Sequence, residues 1–276
     1  MPKICLDAGH NNSGIDTGAQ GNGLREELLT LDICRRLKFL LQFNGFEIVM
    51  TREDDVVSGP HGTVNESLQT RCLIANSAQV NLFISVHINS GGGSGAEIYI
   101  VGRGAQAERA ANKVLPYLVS AGGWADRGVK VANLYVLKNT NMPAILTENG
   151  FIDSFSDAAK LADAGFRQAL AAAHAKGICD YFGVQYKDGG DNVPNHVIVF
   201  WTAKDYSAAG MISERLDNCL MTCRNAKPDL NPDAKAAKHL IVVGGPEVTD
   251  HPNVTNLCGI TGPDTAILAA NYAKSL

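Results

Sequence analysis

Three short apolar segments in the first half of the chain end in residues that can bind a metal or transfer a proton. They are residues 4–8 before His10, residues 82–86 before His87, and residues 144–147 before Glu148. An apolar segment that ends in a polar loop is typical of a buried strand. Such strand ends are common positions for catalytic side chains, because the sheet fixes the side chain and the loop leaves it accessible.

Segments with helical spacing separate these apolar segments. Apolar residues recur at helical spacing from Leu24 to Leu41, and Asn44 with Gly45 ends that pattern. Further helices are predicted at about 68–77, 106–120 and 156–181, a loop at 122–128, and short strands at 96–101 and 134–137. Strands that alternate with helices indicate an α/β fold with a mixed or parallel sheet flanked by helices.

The composition changes between residues 185 and 195, where glycine, proline and polar residues show no apolar periodicity. A second, smaller α/β pattern follows from residue 196 to the last residue, 276. We therefore predict a catalytic domain at 1–184, a linker at 185–195 and a second domain at 196–276.

Composition excludes several classes of function. The formal net charge of -4 gives no electrostatic basis for binding nucleic acid. The apolar runs are too short to span a membrane. Seven scattered cysteines without CxxC spacing argue for reduced thiols. No apolar signal segment precedes the first strand, so we expect synthesis in the host cytoplasm without a signal peptide.

The polar residues at these strand ends suggest a catalytic zinc site. His10 and His87 supply two nitrogen ligands, and a carboxylate near the start of the first helix supplies the third. Glu26 and Glu27 both lie there, and spacing alone does not choose between them. Glu148 suits the role of a base that takes a proton from water. Alternatively, Glu26 and Glu27 have no role in binding metal, because the helix dipole favours acidic residues in the first turn of any helix.

Other residues near these segments have two interpretations each. Glu148 could instead form an ion pair with Arg52 or Arg71. Asn89 shares a strand face with His87 and could bind substrate or its own loop. The segment 126–128, Asp-Arg-Gly, could hold substrate or form an exposed surface loop.

Six ordered motifs together resemble the zinc-dependent N-acetylmuramoyl-L-alanine amidases of autolysins and phage endolysins. The similarity covers about residues 1–182, and its motifs are LDAGH at 6–10, GLRE at 23–26, TR at 51–52, RCLIAN at 71–76, SVHIN at 85–89 and LTENGF at 146–151.

The resemblance implies a specific set of site residues and a reaction. Zinc, one ion per chain, would be bound by His10, Glu26 and His87, and Glu148 would be the catalytic carboxylate. The motif thus favours Glu26 over Glu27. The implied substrate is peptidoglycan, cleaved at the amide between N-acetylmuramic acid and L-alanine of the stem peptide.

The C-terminal part is similar to the clostridial type 2 cell-wall-binding repeat in its segments 205–209, 241–245 and 262–266. The arginine and tyrosine common in that repeat are missing, since Pro263 and Asp264 occupy their place. The resemblance implies a secondary cell-wall polymer as binding partner. That repeat is usually found in three tandem copies and this chain has one. We therefore expect a homo-oligomer, a trimer if each chain supplies one copy.

These observations predict an enzyme that lyses bacterial cell walls, an endolysin that acts on the wall after release from the cell. A host autolysin is the alternative origin. A non-catalytic wall-binding protein with an inactive amidase fold and a zinc hydrolase of another amide are the alternative functions.

Overall fold

The structure is a computed structural model that describes residues 1–187, 196–202, 205–213, 216, 219–223, 230, 237, 239–249, 251–259 and 262–276. The chain divides into two compact units, Met1–Gly189 and Gly190–Leu276. Most of the predicted linker, residues 188–195, lies outside the described residues. Within the described part of the chain, no helix is both long and apolar enough to span a membrane.

The N-terminal unit is built on a six-stranded sheet with the order β4-β1-β5-β8-β6-β7. Its strands are β1 (Lys3–Ala8), β4 (Glu47–Met50), β5 (Leu82–Asn89), β6 (Ala96–Ile100), β7 (Asp126–Val131) and β8 (Ala144–Phe151). Strands β4, β1, β5 and β8 are parallel, whereas β6 pairs antiparallel with β8 and parallel with β7. A small hairpin of β2 (Gln20–Gly21) and β3 (Leu24–Arg25) precedes the first helix.

Six helices accompany this sheet. They are α1 (Glu26–Phe43), α2 (Val64–Ser77), α3 (Gln106–Gly122), α4 (Tyr135–Lys138), α5 (Phe155–Ala162) and α6 (Ala164–Phe182). One sheet face packs against apolar residues of α1, α3 and α6, and the other packs against α2 and α4. The predicted α/β fold with a mixed, mostly parallel sheet between helices is confirmed.

Two local predictions in this unit were wrong. The predicted loop at 122–128 gives way to strand β7 at Asp126, which hydrogen-bonds with β6 at the sheet edge. The predicted strand at 134–137 is the short helix α4, whose Val136 and Leu137 pack against the sheet. Both segments are short, and tertiary packing decides the conformation of such short segments.

The C-terminal unit contains a second, smaller sheet of four parallel strands with the order β10-β9-β11-β12. The described elements are β9 (His196–Phe200), α7 (Tyr206–Ser213), β10 (Cys219–Cys223), β11 (His239–Val243), β12 (Val254–Leu257) and α8 (Gly262–Ser275). Apolar residues of both helices pack against β9 and β11. This sheet has its own core, as expected for a second α/β domain.

Candidate metal centre

The carboxyl ends of strands β1 and β5 bring His10 and His87 together. His10 lies two residues beyond β1, and the Gly9 N–H donates to the carbonyl oxygen of Val86 at 3.1 Å. A Cβ atom at position 9 would lie 2.4 Å from Cε1 of His87, so glycine is needed there to leave space for the ring. The two imidazole rings lie 4.8 Å apart between centroids, at an interplanar angle of 80°.

Glu26, the first residue of α1, contacts both histidines. Its Oε1 atom is 3.0 Å from Nδ1 of His87 and 3.3 Å from Nε2 of His10. The backbone N–H of Ile88 donates to Oε1 at 3.0 Å, and that of Ala19 donates to Oε2 at 2.9 Å. These two bonds fix the carboxylate. His10, Glu26 and His87 each offer a ligand atom within 4.8 Å of the others, and we call these three residues the metal cluster.

Charges and hydrogen bonds at the metal cluster shift the pKa values of Glu26 and His10. Burial opposes ionisation of Glu26, but hydrogen bonds and charges of His10 and His87 outweigh burial and lower the pKa. Burial likewise opposes protonation of His10, but contacts with Asp16 and Glu26 raise its pKa to about 10. The Asp16 and Glu26 carboxylates therefore favour a positive charge at this position, which a metal cation would also supply.

The donor set fits a catalytic zinc ion. Two imidazole nitrogens and one carboxylate oxygen are ordinary zinc ligands, and three protein ligands leave the fourth tetrahedral position open. With metal–ligand bonds of about 2.1 Å, the ligand atoms of a tetrahedral site lie about 3.4 Å apart. The distances from Glu26 Oε1 to His87 and His10, 3.0 and 3.3 Å, are close to that spacing.

Glu27 lies next to Glu26 in sequence but outside the metal cluster. It is completely buried, and its Oε1 is 2.5 Å from Nη2 of Arg25. Its Oε2 accepts a hydrogen bond of 3.2 Å from the N–H of Gly18. The structure therefore brings Glu26 to the histidines and Glu27 to Arg25, a distinction that spacing along the helix could not make.

Glu148 lies on the strand next to His87. The register of β5 and β8 pairs it with His87, and the register of β8 and β6 pairs it with Glu97. Its Oε2 atom is buried and has no hydrogen-bond partner in the described residues. Burial, together with the charges of Glu26 and Glu97, raises the pKa of Glu148 to about 7, against the opposing effect of His87 and His10. A carboxyl group with this pKa exchanges protons readily at neutral pH.

Neither Arg52 nor Arg71 pairs with Glu148. Arg52 donates to the carbonyl oxygens of Ala8 and Glu27 at 3.0 and 2.6 Å. Arg71 binds the Asp7 carboxylate with Nη1 at 2.7 Å.

The residues around Asp7 form a second polar cluster. Asp7 also accepts hydrogen bonds of 2.6 Å from the hydroxyl groups of Thr51 and Ser85. We call Asp7, Thr51, Arg71 and Ser85 the Asp7 cluster. It connects strand β1 to β5, to helix α2 and to the residue after β4.

Sequence reasoning missed Asp16. Its Oδ1 atom is 3.4 Å from Nδ1 of His10, and its Oδ2 accepts a 2.6 Å hydrogen bond from the Ser67 hydroxyl. Asp16 lies in a loop without periodicity, so no pattern pointed to it. Asn89, which could have faced substrate, instead donates to Glu97 at 3.0 Å and accepts from the Ser90 N–H at 2.8 Å.

Comparison with known proteins places the chain in a family. The sequence profile of the N-acetylmuramoyl-L-alanine amidase family matches residues 4–180. The chain belongs to this amidase family. It is 41% identical over 188 residues to the sporulation-specific N-acetylmuramoyl-L-alanine amidase of Bacillus subtilis (strain 168), covering 67% of this chain and 70% of that protein.

An endolysin and a solved amidase domain are also similar. The endolysin of Bacillus phage SPP1 is 37% identical over 196 residues, covering 68% of each protein. The catalytic domain of CwlV, an N-acetylmuramoyl-L-alanine amidase from Bacillus (Paenibacillus) polymyxa var. colistinus, has 31% identity and a TM-score of 0.60. That match covers 67% of this chain and all of the domain. The part of the chain that matches the amidase family contains both the metal cluster and Glu148.

Proposed function

We propose that this amidase hydrolyses the amide between N-acetylmuramic acid and L-alanine in peptidoglycan, with one zinc ion per chain held by His10, Glu26 and His87. The observation that carries the proposal is the buried Glu148 carboxyl group beside these three potential ligands. When bound, zinc supplies a Lewis acid for the scissile carbonyl group and for the attacking water.

Glu148 moves the proton in this reaction. Its carboxylate takes a proton from the water that attacks the carbonyl carbon, and it passes that proton to the nitrogen of the departing L-alanine as the C–N bond breaks. Burial raises the pKa of Glu148, which suits both halves of this transfer. Backbone N–H groups of Ala19 and Ile88 hold Glu26 in place, so the ligands need little rearrangement to bind the ion.

Mass analysis of digested peptidoglycan tests this function. We expect newly freed amino groups on L-alanine. Free reducing sugars would indicate a glycosidase, freed amines on other residues would indicate a zinc hydrolase of another amide, and no release would indicate a wall-binding protein without activity.

The variant Glu148→Gln tests the role of the carboxylate. We expect it to retain zinc and fold but to lose about 100-fold to 10,000-fold in kcat, the usual contribution of a general acid–base group. Zinc content and thermal unfolding of the variant serve as controls. Activity near that of wild type would contradict the proposed role of Glu148.

We also propose that the C-terminal unit binds a secondary cell-wall polymer. Support comes from its similarity to the cell-wall-binding repeat and from its own parallel sheet with a separate core. Joining even a weak binder to the enzyme raises the local concentration of substrate. Cosedimentation of the full chain with walls before and after removal of secondary polymers tests this role, and equal binding to both would contradict it.

The proposed assembly is a homo-oligomer formed through the C-terminal units. Light scattering of the full chain measures it directly, because a trimer has three times the 29.3 kDa mass of one chain. A single species of monomer mass at micromolar concentration would contradict this assembly.

The proposed biological role is that of an endolysin released after synthesis in the host cytoplasm. Expression in a sensitive host should leave the cells intact until their membrane is permeabilised, and the optical density should then fall. Lysis without permeabilisation would favour the alternative of an exported host autolysin.

A further inference from the structure

A row of polar side chains extends from the metal cluster across three further strands. Residues paired in register on neighbouring strands have side chains on the same sheet face, as do residues two apart on one strand. The paired residues are His87 with Glu148, Glu148 with Glu97, and Tyr99 with Lys130. The row therefore leads from the proposed catalytic carboxylate to the edge strand β7.

Glu97 lies at the centre of this row and is almost completely buried. Its Oε1 accepts hydrogen bonds from Asn89 Nδ2 at 3.0 Å and from the Tyr99 hydroxyl at 2.7 Å. Its Oε2 accepts from Arg127 Nε at 2.6 Å and from Lys130 Nζ. One carboxylate thus holds two cations and leaves a net positive charge.

Arg127 and Lys130 each have further N–H donors, beyond those that bind Glu97, which can bind a second anion. Arg127 uses only Nε for Glu97, and its two terminal nitrogens have no hydrogen-bond partner in the described residues. Its guanidinium carbon lies 4.9 Å from the centroid of the Phe151 ring, which supports the group from one side. The side chains of Arg127 and Lys130 are 35% and 37% exposed, so a ligand can reach them.

We propose that Arg127 and Lys130 bind a carboxylate of the stem peptide and thereby select the substrate. This inference rests on the proposed amidase function. Guanidinium and ammonium groups are the usual partners of carboxylates, and arginine can bind one with two parallel hydrogen bonds. Glu97 fixes the position of both cations before substrate arrives.

The spacing agrees with the chemistry of the stem peptide. Neighbouring strands lie about 4.8 Å apart, so strands β6 and β7 lie about 5 and 10 Å from Glu148. The carboxylate of the second stem residue lies one residue beyond L-alanine, about 7 Å along an extended chain from the scissile bond. A substrate whose scissile bond lies beside Glu148 can therefore present this carboxylate to Arg127 and Lys130.

Matched synthetic muramoyl peptides test the proposal. The two peptides of the first pair carry D-glutamate or D-isoglutamine at the second position, so one has a carboxylate where the other has an amide. A second pair carries diaminopimelate or lysine at the third position. Only diaminopimelate has a carboxylate on its side chain, so this pair tests the carboxylate of the third residue separately. The variants are Arg127→Gln and Lys130→Gln, with Arg109→Gln and Lys113→Gln on the exposed side of α3 as controls.

For one of the two pairs, we expect wild type to favour the carboxylate substrate at least tenfold in kcat/KM, mostly through KM. Both site variants should lose this preference, because their kcat/KM should fall more on the carboxylate substrate than on the neutral one, and both controls should retain the preference. Arg127→Lys should retain part of it. Because each preference is a ratio within one variant, small losses of folded protein do not affect it.

Unchanged ratios in Arg127→Gln and Lys130→Gln would overturn the proposal, as would a wild-type enzyme without preference for either carboxylate. Equal losses on charged and neutral substrates would also overturn it, since they indicate damage to the fold or to the catalytic centre. If wild type cleaves none of the four peptides and no peptidoglycan, the amidase function itself fails, and this inference fails with it.

Discussion

The Asp7 cluster and the metal cluster lie side by side at the ends of β1 and β5, yet the buried polar atoms at the two clusters differ in their hydrogen-bond partners. Both oxygens of the buried Asp7 have hydroxyl or guanidinium donors within 2.7 Å. Both terminal nitrogens of Arg71 have acceptors as well, leaving only Nε without one among the described residues. Beside the metal cluster, by contrast, Oε2 of Glu148 is buried without a hydrogen-bond partner in that part of the chain, and Nδ1 of His10 faces Asp16 Oδ1 at 3.4 Å.

This difference separates structural polar groups from functional ones. A buried polar atom without a partner destabilises the folded state, so it needs an explanation such as a role in metal binding or in catalysis. A buried carboxylate with several donors remains ionised, and removing one of its partners strongly destabilises the fold. Although Asp7 is completely buried, Arg71, Ser85 and Thr51 outweigh burial and lower its pKa. We therefore expect changes in the Asp7 cluster to affect stability and changes in the metal cluster to affect zinc and catalysis.

The largest expected effect is on stability and follows from Arg71→Met. Removing this guanidinium leaves the Asp7 carboxylate buried without its counter-charge, which costs about 3–5 kcal/mol in similar buried pairs. Urea unfolding at pH 7 measures the loss. Glu148→Gln is the matched change beside the metal cluster; it removes a carboxyl group whose pKa burial raises, so its unfolding free energy should not fall below that of wild type. Equal losses in the two variants would remove the distinction between the clusters.

The next effect concerns zinc affinity and compares two adjacent glutamates. Glu26→Gln removes a proposed ligand, so zinc should bind at least about 100-fold more weakly. Loss of a residue that only hydrogen-bonds to a metal ligand already weakens metal binding by about 10-fold to 100-fold. Glu27→Gln should keep the wild-type affinity, because Glu27 contacts Arg25 and Gly18 instead. Competition with a chromogenic chelator measures both. Loss of zinc in Glu27→Gln with full retention in Glu26→Gln would reverse the assignment.

The sequence predicted much of this arrangement, and for a physical reason. Parallel strands have their carboxyl ends at one edge of the sheet, so ionisable residues near the carboxyl ends of β1, β5 and β8 had to lie near one another. Apolar strand segments that alternate with segments of helical spacing were enough to predict the α/β class. The roles of His10, Glu26, His87 and Glu148 stay predictions until zinc and activity are measured.

Other features depend on tertiary contacts that no local pattern carries. Spacing did not choose between Glu26 and Glu27, because that choice depends on the direction of each side chain at the start of α1; only the resemblance of the GLRE motif favoured Glu26. Arg127 was placed in a loop because glycines surround it, whereas pairing with β6 makes it part of an edge strand. The partner of Arg71 is Asp7, 64 residues away, and such a distant pair leaves no signal in local periodicity.

A pH-dependent effect comes from His174, on the opposite sheet face from Glu148. Its Nδ1 lies 2.8 Å from the Leu170 carbonyl oxygen and its Nε2 lies 3.1 Å from the Thr147 hydroxyl. Burial lowers its pKa from 6.5 to about 4. Between these values the unfolded chain binds more protons than the folded protein, so stability falls as the pH falls.

For His174 this loss amounts to about 2 kcal/mol between pH 7 and pH 5. The variant His174→Gln should lack this share of the pH dependence, although it is less stable at pH 7. Urea unfolding of both proteins at the two pH values gives the difference, in which the other titrating groups cancel. An identical pH dependence in wild type and variant would show that the pKa of His174 is the same in the folded protein as in the unfolded chain.

The smallest expected effect tests whether the two clusters are independent. Helix α2, which carries Arg71, begins with a capping box: the Glu66 N–H donates to Thr63 Oγ1 at 3.1 Å, and the Thr63 N–H donates to Glu66 Oε2 at 3.0 Å. Thr63→Ala should lower stability by about 1 kcal/mol, and Thr63→Ser should restore most of it. Zinc affinity should be unchanged in both, because the start of α2 contributes no atom to the metal cluster. A loss of zinc affinity in Thr63→Ala would mean that the position of α2 controls the ligands through Arg71 and the His10 carbonyl oxygen, which are 2.8 Å apart.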